Sequence, residues 1–289
     1  MLFEKKTSVV KIKFKNIINN VDNNISKEVI ENGIYKFKNF LTVEEVEKFK
    51  NLLRPYFKIK GHPDTHFPSS TIGNFRKLFK FDFRKLFTSL VLQSLVKKKK
   101  LKYISNKIFK KESYNNMIDC YFSPISNLNI LPWHIDLAYS GKNEISLSDI
   151  YHPDAFTIKF FIYLTPVGPN NGCTSYIPGS HKITYALRKG IKNKILNYEP
   201  HWSLEQLLNF IKKNIKYFED YFKGTDILNN FLKNANELNS SNTTKFDFFM
   251  EAGDAIIFDE GGVHKGSMPL QNDRVVLRYH FKIKEKLLN

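Results

Sequence analysis

Eight histidines punctuate this 289-residue chain, and imidazole is the commonest protein metal ligand. Among them the pair His134-Ile-Asp136 stands apart. A single intervening residue places imidazole and carboxylate on the same side of an extended strand. Such a pair recurs by chance, so a metal site needs a third ligand. His264 is the best candidate, in GGVHKGS directly after an apolar run ending at Asp259. Two imidazoles and one carboxylate on one face of a metal leave three positions open, which suits non-haem Fe(II) and oxygen chemistry. Arg274 follows ten residues later, at the start of the last alternating run. A buried guanidinium can hold the remote carboxylate of a dicarboxylate through two parallel hydrogen bonds. Alone, Arg274 reads as a strand-end arginine in a surface ion pair; in the order His-x-Asp, His, Arg it answers a chemical need.

These side chains require a rigid frame, and the apolar pattern supplies one. Residues 156–165, FTIKFFIYLT, alternate strictly: Phe156, Ile158, Phe160, Ile162 and Leu164 share one face. Thr157, Lys159, Phe161 and Tyr163 share the other, a polar and aromatic mixture such as lines a ligand pocket. The last run, DRVVLRYHFKI, sets Val275, Leu277, Tyr279, Phe281 and Ile283 against Arg274, Val276, Arg278 and His280. Arg278 therefore shares a face with Arg274, as a second anion contact or as half of a structural ion pair. Further strands are expected at Ile34–Phe40, at 116–123, in CTSYIP and in FMEAGDAIIFD, with a short one at Val9–Phe14 inside a loose arm, residues 1–28. Thr42 and Glu45 form a capping box opening a helix whose stripe is Val46, Phe49, Leu52 and Leu53. Residues 61–74 read as loop, and 83–112 as one or two helices broken near the lysine run at 97–100. Residues 183–247 read as a helical insertion, placed as a lid at the pocket mouth. The remaining histidines have ordinary uses: His181 shapes the PGSHK turn, and His62, His66, His152 and His201 sit in loops as solvated or capping groups. His280 lies ~20 Å along its strand from Arg274, too far for the same metal. One mainly β domain with flanking helices, residues 1–289, accounts for the pattern.

Composition bounds the alternatives. Hydrophobic residues make up 42% of the chain, which excludes disorder throughout. No apolar run reaches the ~20 residues of a membrane span, and MLFEKKTSVV lacks a secretory apolar core, so a soluble cytoplasmic protein is expected. The net charge of +17, from 45 Lys+Arg against 28 Asp+Glu, raises the question of nucleic acid. Only six of those bases are arginines, and the chain is rich in Lys, Asn, Ile, Phe and Tyr. That profile follows an AT-biased genome better than a nucleic-acid reader, which favours the arginine fork. Cys120 and Cys173 form neither a CxxC pair nor a zinc spacing and read as buried thiols.

Four stretches together resemble the phytanoyl-CoA dioxygenase family of Fe(II)- and 2-oxoglutarate-dependent oxygenases. They are GIYKFKNFLTVEEVEKF, WHID at 133–136, NNGCTSYIPGSHK at 170–182 and GDAIIFDEGGVHKGSMPLQNDRVVLRY at 253–279. The resemblance implies a double-stranded β-helix (jelly roll, cupin-like) core, iron at His134, Asp136 and His264, and the distal carboxylate of 2-oxoglutarate at Arg274. It implies Phe161 as an aromatic wall beside that cosubstrate. Two positions depart from the family: Ser123 stands where a Lys often precedes Pro, and Val276 replaces a polar partner two residues beyond the arginine. Lys159 is the candidate for the missing positive contact to the cosubstrate, or else snorkels to the barrel rim, and Arg278 and Tyr163 are candidates for contacts to substrate. Asp136 itself sets the chain apart from related halogenases, which lack this carboxylate. The implied activity is oxidation, first of all hydroxylation, with desaturation or ring closure as alternatives, of an aliphatic C–H in a small anionic metabolite or natural-product intermediate, with O2 as co-reactant and neither nucleic acid nor membrane as partner. The rival reading is a non-catalytic jelly-roll binding protein for an anionic ligand or nucleic acid, in which the three metal ligands need not converge.

Overall fold

Alternating apolar side chains build two antiparallel sheets in the computed structural model, which describes residues 24–57, 70–75, 82–136, 157–240 and 244–283. Its strands are β1 (Ile34–Phe37), β2 (Ser70–Asn74), β3 (Ser113–Ser123), β4 (Leu131–His134), β5 (Thr157–Tyr163), β6 (Thr174–Tyr176), β7 (Ala255–Asp259), β8 (His264–Gly266) and β9 (Arg274–Ile283). The larger sheet runs β1-β7-β5-β9-β3-β2 and the smaller β4-β8-β6. Strands far apart in sequence lie side by side, and with every pairing antiparallel this is the double-stranded β-helix.

The two faces of the larger sheet do different work, as strand alternation requires. Ile158, Phe160, Ile162, Leu277, Tyr279 and Phe281 turn outward under α1 (residues 24–32), α2 (Val43–Leu53), α3 (Phe83–Lys98) and α4 (Leu101–Phe109). Phe161, Tyr163 and Val276 turn inward, toward Tyr176 and Phe258. Burying each large apolar side chain contributes roughly 1.5–3 kcal/mol, and both faces of β5 are buried, so a one-residue register slip would drive Thr157 and Lys159 under the helices and be strongly disfavoured. A third core belongs to α5 (Ser180–Lys192), α6 (Leu204–Lys213), α7 (Ile215–Tyr221) and α8 (Ile227–Ser240), packed on Ile135, Ile177 and Val263.

Several sequence expectations shift. The supposed arm ends in α1, whose Ile25 and Val29 are buried; a two-residue apolar pair in a polar segment is too faint a stripe to announce a helix. Val9–Phe14 lies outside the described residues. The strand expected to reach Phe40 stops at Phe37, because Asn39 takes φ 51° and its N–H donates to Asp254. Residues 70–74, expected as loop, form edge strand β2 against β3. The PGSHK turn is the N-terminus of α5, so the helical excursion begins at Ser180 rather than 183. The break at the lysine run falls where Lys100 adopts φ 54°. Cys120 and Cys173 are buried free thiols. Among the described residues no helix is long and apolar enough to cross a membrane.

The α2 capping box forms as read, with Thr42 and Glu45 exchanging side chain-to-backbone bonds. Glu45 also accepts from Lys98 (2.5 Å) and Lys99 (2.9 Å), tying α2 to the end of α3. Burial alone would raise the Glu45 pKa, but hydrogen bonds from Lys98, Lys99 and the Thr42 N–H outweigh it and bring it down to about 2. A depressed carboxylate contributes stability above its unfolded pKa and loses it as pH falls through the folded one. Glu45→Gln should therefore cost about 1 kcal/mol at neutral pH, shrinking to nothing between about pH 4.5 and 2; urea melts of both proteins across that range check it.

Candidate metal centre

His134 ends β4 and His264 opens β8, and antiparallel pairing sets these two residues directly opposite each other. A register shift between Leu131 and His134 turns the end of β4, the kind of bulge that re-aims a side chain at a site. The rings meet with centroids 4.3 Å apart. Past the strand end, the Ile135 N–H donates to the Trp202 carbonyl and holds the chain so that Asp136 comes round between the two rings. Asp136 Oδ1 is 3.4 Å from His134 Nε2, and Oδ2 is 3.2 Å from His264 Nε2. One donor atom from each residue falls within 4.8 Å of the others.

The donors fit a metal. Each imidazole uses Nδ1 on a backbone carbonyl: His134 on Pro132 (2.6 Å) and His264 on Gly262 (2.8 Å). A carbonyl accepts, so each Nδ1 carries the proton and each Nε2 presents a lone pair inward. His134 Nε2 is buried with no hydrogen-bond partner among the described residues, a costly state unless a ligand takes its lone pair. Burial first, then the neighbouring His134, lowers the pKa of His264, keeping it the neutral imidazole that coordination requires. Burial would raise the Asp136 carboxyl, yet Lys159 and His264 hold it well below the usual range, so it is an anion.

Arg274 lines the same cleft, together with Tyr121, Ile130, Phe161, Thr174 and Lys265. It is 3% exposed, donates to the Thr174 hydroxyl (3.2 Å), and leaves Nε without a partner. Among the described residues no carboxylate pairs with it. Phe161 and Tyr163 stack under its guanidinium, with ring centroids 5.9 and 5.8 Å away. A buried guanidinium with a free edge has donors to offer a carboxylate. Gly172 makes room for it: φ is +72°, and a Cβ there would meet Arg274 Cδ at 3.0 Å. Gly172→Ala should cost about 1–2 kcal/mol of stability from backbone strain and, by tilting Arg274, weaken 2-oxoglutarate binding severalfold; denaturation and cosubstrate titration check the two effects.

The other expected site residues are placed as follows. Lys159 reaches the cleft, but its ammonium is held by Asp136 and by Glu260 at 3.2 Å. Arg278 also lines the cleft; its fork is closed on Asp119 at 2.7 and 2.5 Å, over the ring of Tyr121. Tyr163 is fully buried beneath Arg274 and is not among the cleft-lining residues. Among the described residues, none of the cleft lining comes from 183–247. Those helices brace the metal site from behind instead, with Trp202 against His134 at 5.4 Å, because their apolar stripes are satisfied by one another and by Ile135 and Val263. His201, expected as solvated, is 1% exposed and bonded to the Glu199 carbonyl. His181 ties α5 to the Ile30 carbonyl of α1, and burial lowers its pKa to about 4. His62, His66 and His152 lie outside the described residues. Thr174, Glu260 and Asp119 escaped the sequence reading. Asp119 and Tyr121 share a face of β3 and were open to the alternation argument, whereas Glu260 sits in a loop that carries no period.

A jelly roll presenting two histidines, an aspartate and a buried arginine to one cleft defines an iron- and 2-oxoglutarate-dependent oxygenase. The chain belongs to the phytanoyl-CoA dioxygenase (PhyH) family, whose sequence model matches residues 30–269. No curated protein sequence matches it significantly. Among solved structures, it is similar to the epimerase SnoN in complex with Fe3+, alpha-ketoglutarate and nogalamycin RO, at 11% identity and TM-score 0.56, over 92% of this chain and 84% of that one. HygX from Streptomyces hygroscopicus with nickel and 2-oxoglutarate bound matches at 13% identity and TM-score 0.55, over 90% and 87%. The carbocyclase SnoK from nogalamycin biosynthesis matches at 15% identity and TM-score 0.54, over 90% and 83%. At these identities the likeness is one of fold.

Proposed function

We propose that the protein hydroxylates an aliphatic C–H bond of a small anionic metabolite or natural-product intermediate, using Fe(II), O2 and 2-oxoglutarate. The observation that carries the reading is the meeting, in one cleft, of an orphaned ligand nitrogen on His134 with an unpaired buried guanidinium on Arg274. His134, Asp136 and His264 would hold the iron, which supplies the oxidising power that no side chain has. Arg274 and Thr174 would seize the far carboxylate of 2-oxoglutarate and fix its keto acid end toward the metal. Phe161, 9% exposed, would wall that position from water. Asp136 would occupy the ligand position that related halogenases leave free of a carboxylate, which favours hydroxylation over halogenation. The excess of positive charge would draw an anionic substrate to the cleft. Natural-product chemistry is supported by neighbours such as SnoK, from nogalamycin biosynthesis.

Purified protein given Fe(II), ascorbate, O2 and 2-oxoglutarate should release succinate slowly, and faster with a fitting substrate. A screen of carboxylate, phosphate and acyl-CoA compounds by succinate release, with product mass, tests activity and substrate class together. A gain of 16 mass units marks hydroxylation. Absence of succinate under every iron supply overturns the enzyme reading in favour of a binding protein, and rates indifferent to salt overturn the anionic substrate.

A further inference from the structure

We propose that Lys159 is an internal cation that competes with the metal for Asp136, and that Glu260 is the second carboxylate to which it yields. The proposal rests on the metal reading above and concerns a pair of residues outside the ligand set. Lys159 rises from β5 with a side chain 9% exposed, and its ammonium contacts Asp136 Oδ2. That oxygen is also the one 3.2 Å from His264 Nε2, on the side where a metal shared with His264 would bind. A divalent ion and an ammonium on one half-buried carboxylate repel each other, and with the Lys159 side chain only 9% exposed solvent screens that repulsion incompletely.

The ammonium has somewhere else to go. Glu260 Oε2 lies 3.2 Å from Lys159 Nζ, and Glu260 is itself 9% exposed. The sheet fixes this neighbour: β5 pairs with β7 so that Ile158 faces Asp259, and the Glu260 N–H donates to the Thr157 carbonyl. Lys159 can thus stay buried and paired when Asp136 turns to a metal. Without Glu260, its ammonium would have Asp136 as its one carboxylate among these contacts and would hold it more tightly. The pair is then a positioning device: it keeps Asp136 anionic and aimed between the two imidazoles in the free protein, and sets how strongly a divalent ion must pull to claim it.

The test is Ni(II) affinity of the full-length protein, by equilibrium dialysis at fixed pH, with no turnover required. Lys159→Met should lower the Ni(II) dissociation constant about tenfold, and Glu260→Gln should raise it about tenfold. In the double variant the Glu260→Gln effect should largely vanish, leaving the constant within about threefold of Lys159→Met, because no ammonium remains to be released. Circular dichroism establishes that each variant is folded, and the isosteric Glu260→Gln carries the test if Lys159→Met does not fold. Unchanged constants, or weaker binding in both single variants as a merely structural role would give, overturn the proposal. Wild-type protein that binds no Ni(II) overturns both this proposal and the metal reading; wild-type binding with unmoved variants overturns this one alone.

Discussion

Asp136→Ala should abolish iron-dependent succinate release and weaken divalent-metal binding by more than about 100-fold, since changes merely behind metal ligands already cost 10–100-fold. The expectation is large because Asp136 does two jobs. It is the only anion of the donor set, so two neutral imidazoles alone would face the dication. It also anchors Lys159, which would otherwise remain as a buried ammonium beside the site with Glu260 as its sole carboxylate in this cluster. The alanine variant therefore loses the ligand and leaves the Lys159 ammonium beside the site on Glu260 alone. Dialysis against Fe(II) or Ni(II) and a succinate assay read the two losses separately. Asp136→Glu sharpens the test: it keeps the charge but moves the carboxylate by a methylene, and should retain part of the metal affinity while losing most of the turnover. An Asp136→Ala protein that still releases succinate at the wild-type rate would remove these three residues from the chemistry.

The site was legible in the sequence to the extent that its residues obey a period. His134 and Asp136 are two apart, Arg274 and Arg278 four apart on one strand, and Phe161 and Tyr163 two apart on another, so alternation alone assigned their faces. The separation of outward Ile158, Phe160 and Ile162 from inward Phe161 and Tyr163 repeats that assignment in space. The fold followed from the same pattern joined to family motifs. What alternation does not carry is depth along a strand or the identity of a cross-strand partner. Tyr163 has the face of a pocket residue but lies beneath Arg274, and Arg278 has the face of an anion contact but meets Asp119 on neighbouring β3. Lys159 looked like a spare positive charge because Glu260 and Asp136 come from loops over a hundred and over twenty residues away, where no spacing rule links them. The helices after β6 misled for a related reason. Amphipathic stripes say that a helix is covered, not by what, and here, among the described residues, the cover includes Ile135, Ile177 and Val263 beside the metal ligands.

Arg274→Met should destroy 2-oxoglutarate binding while leaving the free protein at least as stable as wild type, and the opposition of those two signs is what makes it informative. In the free protein the guanidinium is buried against the Thr174 hydroxyl and two aromatic rings, with no carboxylate among the described residues, so its desolvation is only partly offset. Burial accordingly lowers its pKa, the signature of an unfavourable place for charge. Replacing such a group by an apolar side chain of similar length is commonly neutral or stabilising, by up to about 4 kcal/mol. Phe161 and Tyr163, whose rings now face the guanidinium, would pack on the methionine instead. For the bound cosubstrate the balance reverses: losing a buried charge-assisted partner costs about 2–5 kcal/mol, or roughly 30- to several thousand-fold in affinity. Arg274→Lys should fall between, because an ammonium keeps the charge but cannot form the parallel pair of hydrogen bonds. Thermal melts with and without 2-oxoglutarate measure both effects in one experiment: wild type should gain stability on adding the cosubstrate, and Arg274→Met should start as high or higher and gain nothing. A methionine variant that melts far lower and still binds 2-oxoglutarate would mean that Arg274 is a structural residue and that the carboxylate is held elsewhere.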